Sequence, residues 1–151
     1  MGLELSDDVL IKAYTAEVSL VYAAQGVPAS EAGRSLLIAR AGNVLPIEGY
    51  VGFLDGQAGR WSLRGVDLGV PLNTPPVAFD LDADGLLDAL VTASGSPATL
   101  RGACSQGDTL TSCLDVSVMG TPESVIIDED GIVFVATQAD GLWAYRLGEC
   151  L

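Results

Sequence analysis

The sequence predicts an all-β protein built from short antiparallel strands. Short apolar runs recur along the 151 residues, and glycine, proline and serine separate them, which is the pattern of strands joined by turns. The 18 glycines and 7 prolines supply residues for many such turns. A hydrophobic content of 49% argues against a disordered chain, and the length allows one domain with a full core. We therefore expect a single folded module over residues 1–151.

The N-terminal third holds the least regular of these runs. Residues 18–26 and 35–43 are each typical of a strand, and the second run ends in the turn residues Gly42 and Asn43. Residues 9–24 also fit a helix, because they include several alanines and no glycine or proline. We favour strands here by analogy with the later part of the chain.

Strand signals are clearer further along the chain. Apolar runs bounded by turn residues predict strands over residues 50–54, 61–64, 66–68, 76–79 and 89–93. Asp55 and Gly56 predict a turn directly after the first of these strands. The last two strands flank an acidic segment, residues 80–88.

The acidic segment has the spacing of a calcium-binding loop. Calcium takes six to eight oxygen ligands at about 2.3–2.6 Å, and alternate carboxylates on a tight turn can point inward together. Gly85 permits the sharp turn because glycine tolerates a positive φ. The spacing predicts a Ca²⁺ site whose ligands are the backbone carbonyl of Leu86 and the side chains of Asp80, Asp82, Asp84 and Asp88. The alternative is an acidic turn whose charges are solvated.

The sequence around this loop distinguishes it from an EF-hand. An EF-hand loop lies between two helices and has a glutamate at position twelve, where this chain has Val91. Residues 77–91 instead resemble the FG-GAP/VCBS-type repeat of integrin-α-like β-propellers, in which an acidic loop joins two strands of a blade and holds calcium. Ala83 departs from the pattern, which often has glycine there. The resemblance implies β-propeller-like blades, the five ligands named above, and a binding or adhesion role in a secreted or cell-surface protein.

An internal repeat also favours blades. Gly85 and Gly131 are 131 − 85, or 46, residues apart, and at this offset residues 82–85 align with residues 128–131. A step of about 46 residues is typical of a four-stranded propeller blade. The chain therefore divides into about three repeats, at about 1–49, 50–104 and 105–151.

The second copy of the acidic loop lacks the full ligand set. Ile126 replaces the first ligand and Phe134 the last, so we expect Asp128 and Asp130 to be turn residues. Closed propellers have about four to eight blades, so about three blades form only part of a ring. We expect the ring to be completed by self-association into a homo-oligomer, by a partner, or by the remainder of a larger chain.

The three cysteines predict one disulfide. Cys104 and Cys113 bracket a polar, turn-rich loop, and a bond between them fits an oxidising compartment. The alternative is three free thiols. Cys150 aligns with Cys104 in the repeat, and its equivalent partner would lie in a following repeat. We therefore expect Cys150 to be unpaired within these residues, and either the sequence is truncated before that repeat or Cys150 forms an intermolecular bond.

Charge and composition exclude several classes of function. The net charge of −13 and a pI near 4.1 argue against binding nucleic acid or an anionic membrane. No apolar run approaches the ~20 residues of a membrane span, and no signal peptide is visible. The absence of histidine removes the Ser-His-Asp and Cys-His nucleophile systems, so we expect no enzyme activity. An extracellular or cell-surface location follows from the resemblance.

Two aromatic residues near the C-terminus alternate on one predicted strand. Period two places Trp143 and Tyr145 on the same face, where we expect them to pack between blades, as we do for Trp61. Such residues can also stack on a sugar, as in a lectin-like domain, or anchor a protein partner. The predicted function is a calcium-stabilised binding or adhesion module with an unidentified protein or glycan ligand. The alternatives are a self-assembling structural subunit and a lectin-like carbohydrate-binding domain.

Overall fold

The computed structural model describes the backbone of residues 2–6, 9–14, 23–30, 33–44, 47–57 and 60–147, and the side chains of residues 49–53, 55 and 62–147. The described residues are all-β, and every pair of neighbouring strands is antiparallel. The strands are β1 Gly2–Ser6, β2 Val9–Tyr14, β3 Ala23–Ser30, β4 Gly33–Val44, β5 Ile47–Gln57, β6 Arg60–Asp67, β7 Val77–Phe79, β8 Asp88–Ala93, β9 Thr99–Gln106, β10 Thr109–Ser117, β11 Pro122–Ile127, β12 Ile132–Thr137 and β13 Gly141–Arg146.

The strands form a short hairpin and three larger sheets. β1 pairs with β2, and the first sheet contains β3–β6, the second β7–β10 and the third β11–β13. Within each sheet every strand lies beside its neighbour in sequence, so all three are simple meanders. The prediction of an all-β fold with about three blade-like sheets is therefore confirmed.

The three larger sheets stack in chain order. One cluster of buried apolar side chains lies between the first and second sheets, and a second cluster lies between the second and third. Every residue of β8 is buried, because both of its faces are covered. β6 lies near β10 and β11 lies near β7, so corresponding strands of successive sheets adjoin. This is the arrangement expected of successive blades.

The helix considered for residues 9–24 is wrong where the structure describes the chain. Residues 9–14 form β2, and β3 begins at Ala23; residues 15–22 lie outside the described part. The predicted turn at Gly42 and Asn43 is also wrong, because β4 runs on to Val44. An irregularity in the β4–β5 pairing between Ala41 and Val44 accommodates the extra residues.

Two further corrections concern the first sheet. Asp55 and Gly56 form no turn, since they pair with Ser62 and Trp61 and β5 continues to Gln57. The two strands predicted on either side of Gly65 are one strand, β6. Position 65 of this strand has no room for a side chain. A Cβ there would lie against the hydroxyl of Tyr50 and 2.6 Å from the carbonyl oxygen of Val51. Crowding, and not a turn, explains this glycine.

The 46-residue repeat corresponds to the step from the second sheet to the third. The acidic segment joins β7 to β8, and its copy around Gly131 joins β11 to β12. Both glycines have a positive φ, 87° at Gly85 and 75° at Gly131, so both allow the same sharp turn. The three sheets span residues 23–67, 77–117 and 122–146, and the third has three strands in the described part of the chain.

Candidate metal centre

The acidic loop is held at both ends by the second sheet. Asp80 directly follows β7, and Asp88 is the first residue of β8. Within the loop, the Leu81 side chain is only 7% exposed and belongs to the core between the second and third sheets. The loop therefore projects its acidic residues from a buried apolar anchor.

The loop backbone curls around its own carboxylates. Asp80 accepts hydrogen bonds from the backbone N–H groups of Asp84 at 3.1 Å and Gly85 at 2.9 Å. Asp82 accepts one from Asp84 at 3.3 Å, and Asp84 accepts one from Leu86 at 2.8 Å. These contacts draw the alternate aspartates toward a common centre.

Two residues in left-handed conformation make the curl sterically feasible. Gly85 has no Cβ to clash, whereas Ala83 adopts a φ of 60° that alanine rarely takes. Glycine would adopt the Ala83 conformation without this steric cost.

The structure brings the predicted acidic ligands together in two overlapping groups. Carboxylate oxygens of Asp80, Asp82 and Asp84 lie within 4.8 Å of one another, and an oxygen of Asp88 lies within 4.8 Å of one of Asp82. Oxygen donors of this kind are the ligands that calcium prefers. The residues therefore fit a hard divalent cation; the Leu86 carbonyl as a fifth ligand stays a prediction.

Asp88 differs from the other three aspartates because it is fully buried. Its two carboxylate oxygens accept hydrogen bonds from the backbone N–H groups of Leu81 at 2.7 Å and Ser105 at 2.6 Å. Burial raises the pKa of Asp88, and the charges of Asp82 and Asp84 raise it further, while the two hydrogen bonds oppose the shift. Asp88 thus joins the loop to β9 at the cost of desolvating its charge.

The Cys104 sulfur also lies within 4.8 Å of oxygens of Asp82 and Asp88, but it is not a thiolate ligand. It is bonded to Cys113, with Cα atoms 5.7 Å apart, so the predicted disulfide is confirmed. Cys113 falls at an irregularity in the pairing of β9 and β10 between Ser112 and Leu114. Cys150 lies outside the described residues.

The copy of the loop in the third sheet is a hydrogen-bonded turn. Asp128 accepts hydrogen bonds from the backbone N–H groups of Asp130 at 3.0 Å and Ile132 at 2.8 Å. The positions equivalent to the first and last ligands are Ile126 in β11 and Phe134 in β12, and neither side chain has a carboxylate. Asp128 stabilises the turn, as expected from the sequence.

The C-terminal aromatic residues lie on one face of β13, as their alternation predicts. Trp143 pairs with Val135 and Tyr145 with Val133, whose side chains are buried against the second sheet. Tyr145 packs against the same core, and its hydroxyl accepts a hydrogen bond from the backbone N–H of Met119 at 3.2 Å. Trp143 is 37% exposed and belongs to neither core cluster, so the expectation that it packs between blades is wrong for this residue. The side chain of Trp61 lies outside the described part.

Sequence reasoning missed Ser105, the β9 residue that holds Asp88. No motif marks it, because its partners come from distant parts of the chain. It also missed a shallow groove between β7 and β11, lined by Pro75, Pro76, Val77 and residues 124–127. The one local sequence feature at this groove is the Pro75-Pro76 pair, which prevents β7 from beginning earlier.

Comparison of the chain with protein-family models, curated proteins and solved structures finds no match. Within the described residues, no helix is long and apolar enough to cross a membrane. The most distinctive feature of the site is its cluster of carboxylates.

Proposed function

We propose that this protein is a calcium-stabilised, propeller-type binding module of a secreted or cell-surface protein. The convergence of the Asp80, Asp82 and Asp84 carboxylates within 4.8 Å carries the proposal, together with the adjoining Asp88. The resemblance of residues 77–91 to FG-GAP/VCBS-type repeats supports calcium as the ion and binding or adhesion as the role.

The calcium has a structural role in this proposal. The loop joins β7 to β8, and Asp88 is bonded to β9 through Ser105, so one ion would connect three strands of the second sheet. It would also offset the mutual repulsion of the acidic side chains. The proposal includes no catalytic step, since the chain contains no histidine and the acidic groups are accounted for by the ion.

An extracellular location is consistent with two features of the chain. The Cys104–Cys113 disulfide fits an oxidising compartment. Calcium sites of extracellular modules are filled even when their dissociation constants are about 10⁻⁴–10⁻³ M. A loop with four carboxylates would therefore hold its ion there without high affinity.

Thermal unfolding of the parent protein with calcium and with excess chelator tests the proposal. We expect calcium to raise the melting temperature of the parent and to have no effect on Asp82→Ala. Asp130→Ala is the matched control, because Asp130 is an exposed aspartate in the corresponding loop of the third sheet. A parent protein whose melting temperature is the same in calcium and chelator would refute the calcium site.

A second candidate function is self-assembly, favoured by the open side of the third sheet. Among the described strands, β13 has a hydrogen-bonded neighbour only in β12. Ile126 is 60% exposed and Leu142 67% exposed, although both are large apolar residues. Exposed edges and apolar surface of this kind favour pairing with another chain.

The molar mass in solution separates the two candidates. Light scattering coupled to size-exclusion chromatography is expected to show a defined oligomer if self-assembly is the function, and Leu142→Glu would reduce it to the monomer. A parent that stays monomeric at high concentration would eliminate self-assembly and leave the binding module.

A further inference from the structure

Ser105 connects the acidic loop to the first sheet through three short hydrogen bonds. Its backbone N–H donates to Asp88 at 2.6 Å, and its hydroxyl donates to the carbonyl oxygen of Leu87 at 2.6 Å. The same hydroxyl oxygen accepts a hydrogen bond from Nη1 of Arg64 at 2.6 Å. Ser105 is fully buried, and its hydrogen bond to Asp88 is shielded from competing water.

Arg64 reaches Ser105 from β6, the last strand of the first sheet. Its Nε lies 2.6 Å from Oδ2 of Asp55, and its guanidinium lies over the Phe53 ring, 4.7 Å from the ring centroid. Phe53 is itself fully buried in the core between the first and second sheets. The planar guanidinium is thus oriented by the first sheet and directed at the second.

These contacts form a continuous connection between the two sheets. Arg64 orients the Ser105 hydroxyl, and Ser105 holds the Leu87 carbonyl and the Asp88 carboxylate at the end of the acidic loop. We propose that Arg64 is a positioning residue for the metal loop, so that calcium binding and docking of the first sheet are energetically coupled. The inference rests on the proposed calcium site.

The coupling has a required reciprocal effect. If docking of the first sheet positions Asp88 for the ion, the ion must in turn stabilise the docked arrangement by the same factor. Calcium therefore reduces local opening of β5 and β6, although both strands lie outside the loop. A loop that acted alone would stabilise only the second sheet.

Calcium titration by calorimetry, on folded protein checked by circular dichroism, tests the first half of the proposal. We expect Arg64→Gln and Ser105→Ala each to weaken calcium binding by about 5- to 150-fold, the usual range for coupled sites. Ser105→Ala removes only the hydroxyl, so it provides an answer if Arg64→Gln fails to fold. Arg101→Gln is the matched control, since Arg101 lies in β9 and its guanidinium pairs with Asp115 of β10 at 3.0 Å.

Hydrogen exchange measured by mass spectrometry tests the reciprocal half. Calcium is expected to slow exchange in residues 50–67 of the parent and of Arg101→Gln, but not of Arg64→Gln. If the parent binds calcium and both Arg64→Gln and Ser105→Ala bind it as tightly as the control, the coupling is overturned while the calcium site stands. If the parent binds no calcium, the proposed function and the coupling both fail.

Discussion

Gly102 shows at the scale of one residue how closely the acidic loop packs on the second sheet. A Cβ at this position would lie 2.8 Å from the Cβ of Leu114 and 3.0 Å from Cδ1 of Leu81. The first neighbour is fixed to the backbone of β10 and cannot move without disturbing the sheet, whereas the second is the end of a flexible side chain in the acidic loop. Glycine is required here by close approach and not by its backbone conformation.

We expect Gly102→Ala to lower the free energy of unfolding by about 1–3 kcal/mol, the usual cost of overpacking a core. Urea unfolding followed by circular dichroism measures the change. Ser112→Ala is the control, because Ser112 is exposed on the neighbouring strand. Equal stability of the two variants would show that the space around Gly102 is larger than these distances indicate.

Asp88 is the second residue whose environment sets its role. Its two oxygens accept from two backbone N–H groups, so an amide at this position would place an NH₂ group against one of these donors. We expect Asp88→Asn to destabilise the calcium-free protein by about 1–3 kcal/mol, the cost of leaving a buried polar group unpaired. Urea unfolding in excess chelator measures this, with Asp108→Asn as the exposed control.

The same variant separates the two roles of Asp88. In calcium, the melting temperature of Asp88→Asn is expected not to rise, because the ligand charge is lost together with the hydrogen bond. A variant as stable as the parent in chelator would show that the backbone contacts of Asp88 contribute little, and that relief of repulsion from Asp82 and Asp84 compensates for their loss.

The hairpin of β9 and β10 is stabilised at the scale of the element by the Cys104–Cys113 bond. The two cysteines are nine residues apart in sequence. Their bond lies at the end of the hairpin that borders the acidic loop. A cross-link of this length restricts the unfolded chain and also fixes the pairing around the irregularity at Cys113.

Removing this bond is expected to lower stability by about 2–3 kcal/mol on the chain-entropy model. Cys104→Ala with Cys113→Ala tests the expectation, and the parent treated with a reducing agent provides a second measurement. The reducing agent should leave the double variant unchanged. A double variant as stable as the oxidised parent would show that the pairing of β9 and β10 within the sheet stabilises the hairpin without the disulfide.

The stack of three sheets is the feature of the whole molecule, and β8 lies at its centre. Leu90 and Val91 are adjacent and both fully buried, yet Leu90 faces the third sheet and Val91 the first. Two neighbouring residues therefore report on two different interfaces.

We expect Leu90→Ala to cost about 2–5 kcal/mol, the usual range for removing a buried leucine side chain. Hydrogen exchange distinguishes the interfaces: Leu90→Ala should increase exchange mainly in β11–β13, and Val91→Ala mainly in β5 and β6. The same exchange pattern in both variants would mean that the three sheets unfold as one unit.

The candidate site could be predicted from the sequence because its residues are close together in the chain. Four aspartates and Gly85 within residues 80–88 specify the turn, the charge and the spacing. The Cys104–Cys113 bond was predictable for the same reason, since a short polar loop separates the two residues. The turn predicted at Asp55 and Gly56 is wrong because β6 extends past these residues and pairs with them. The hydrogen bonds between the two strands outweigh the local preference of Asp-Gly for a turn.

The sequence by itself determined the all-β class, the acidic loop and the step of about 46 residues from the second sheet to the third, because apolar spacing and turn residues mark strands and turns locally. The tertiary structure alone decided that Gly65 avoids a clash with Tyr50, that Asp88 is buried, and that Arg64 reaches Ser105. Arg64 and Ser105 are 41 residues apart in the chain. Only the stacking of one sheet on another brings such residues together, and the local sequence pattern around each residue does not predict that contact.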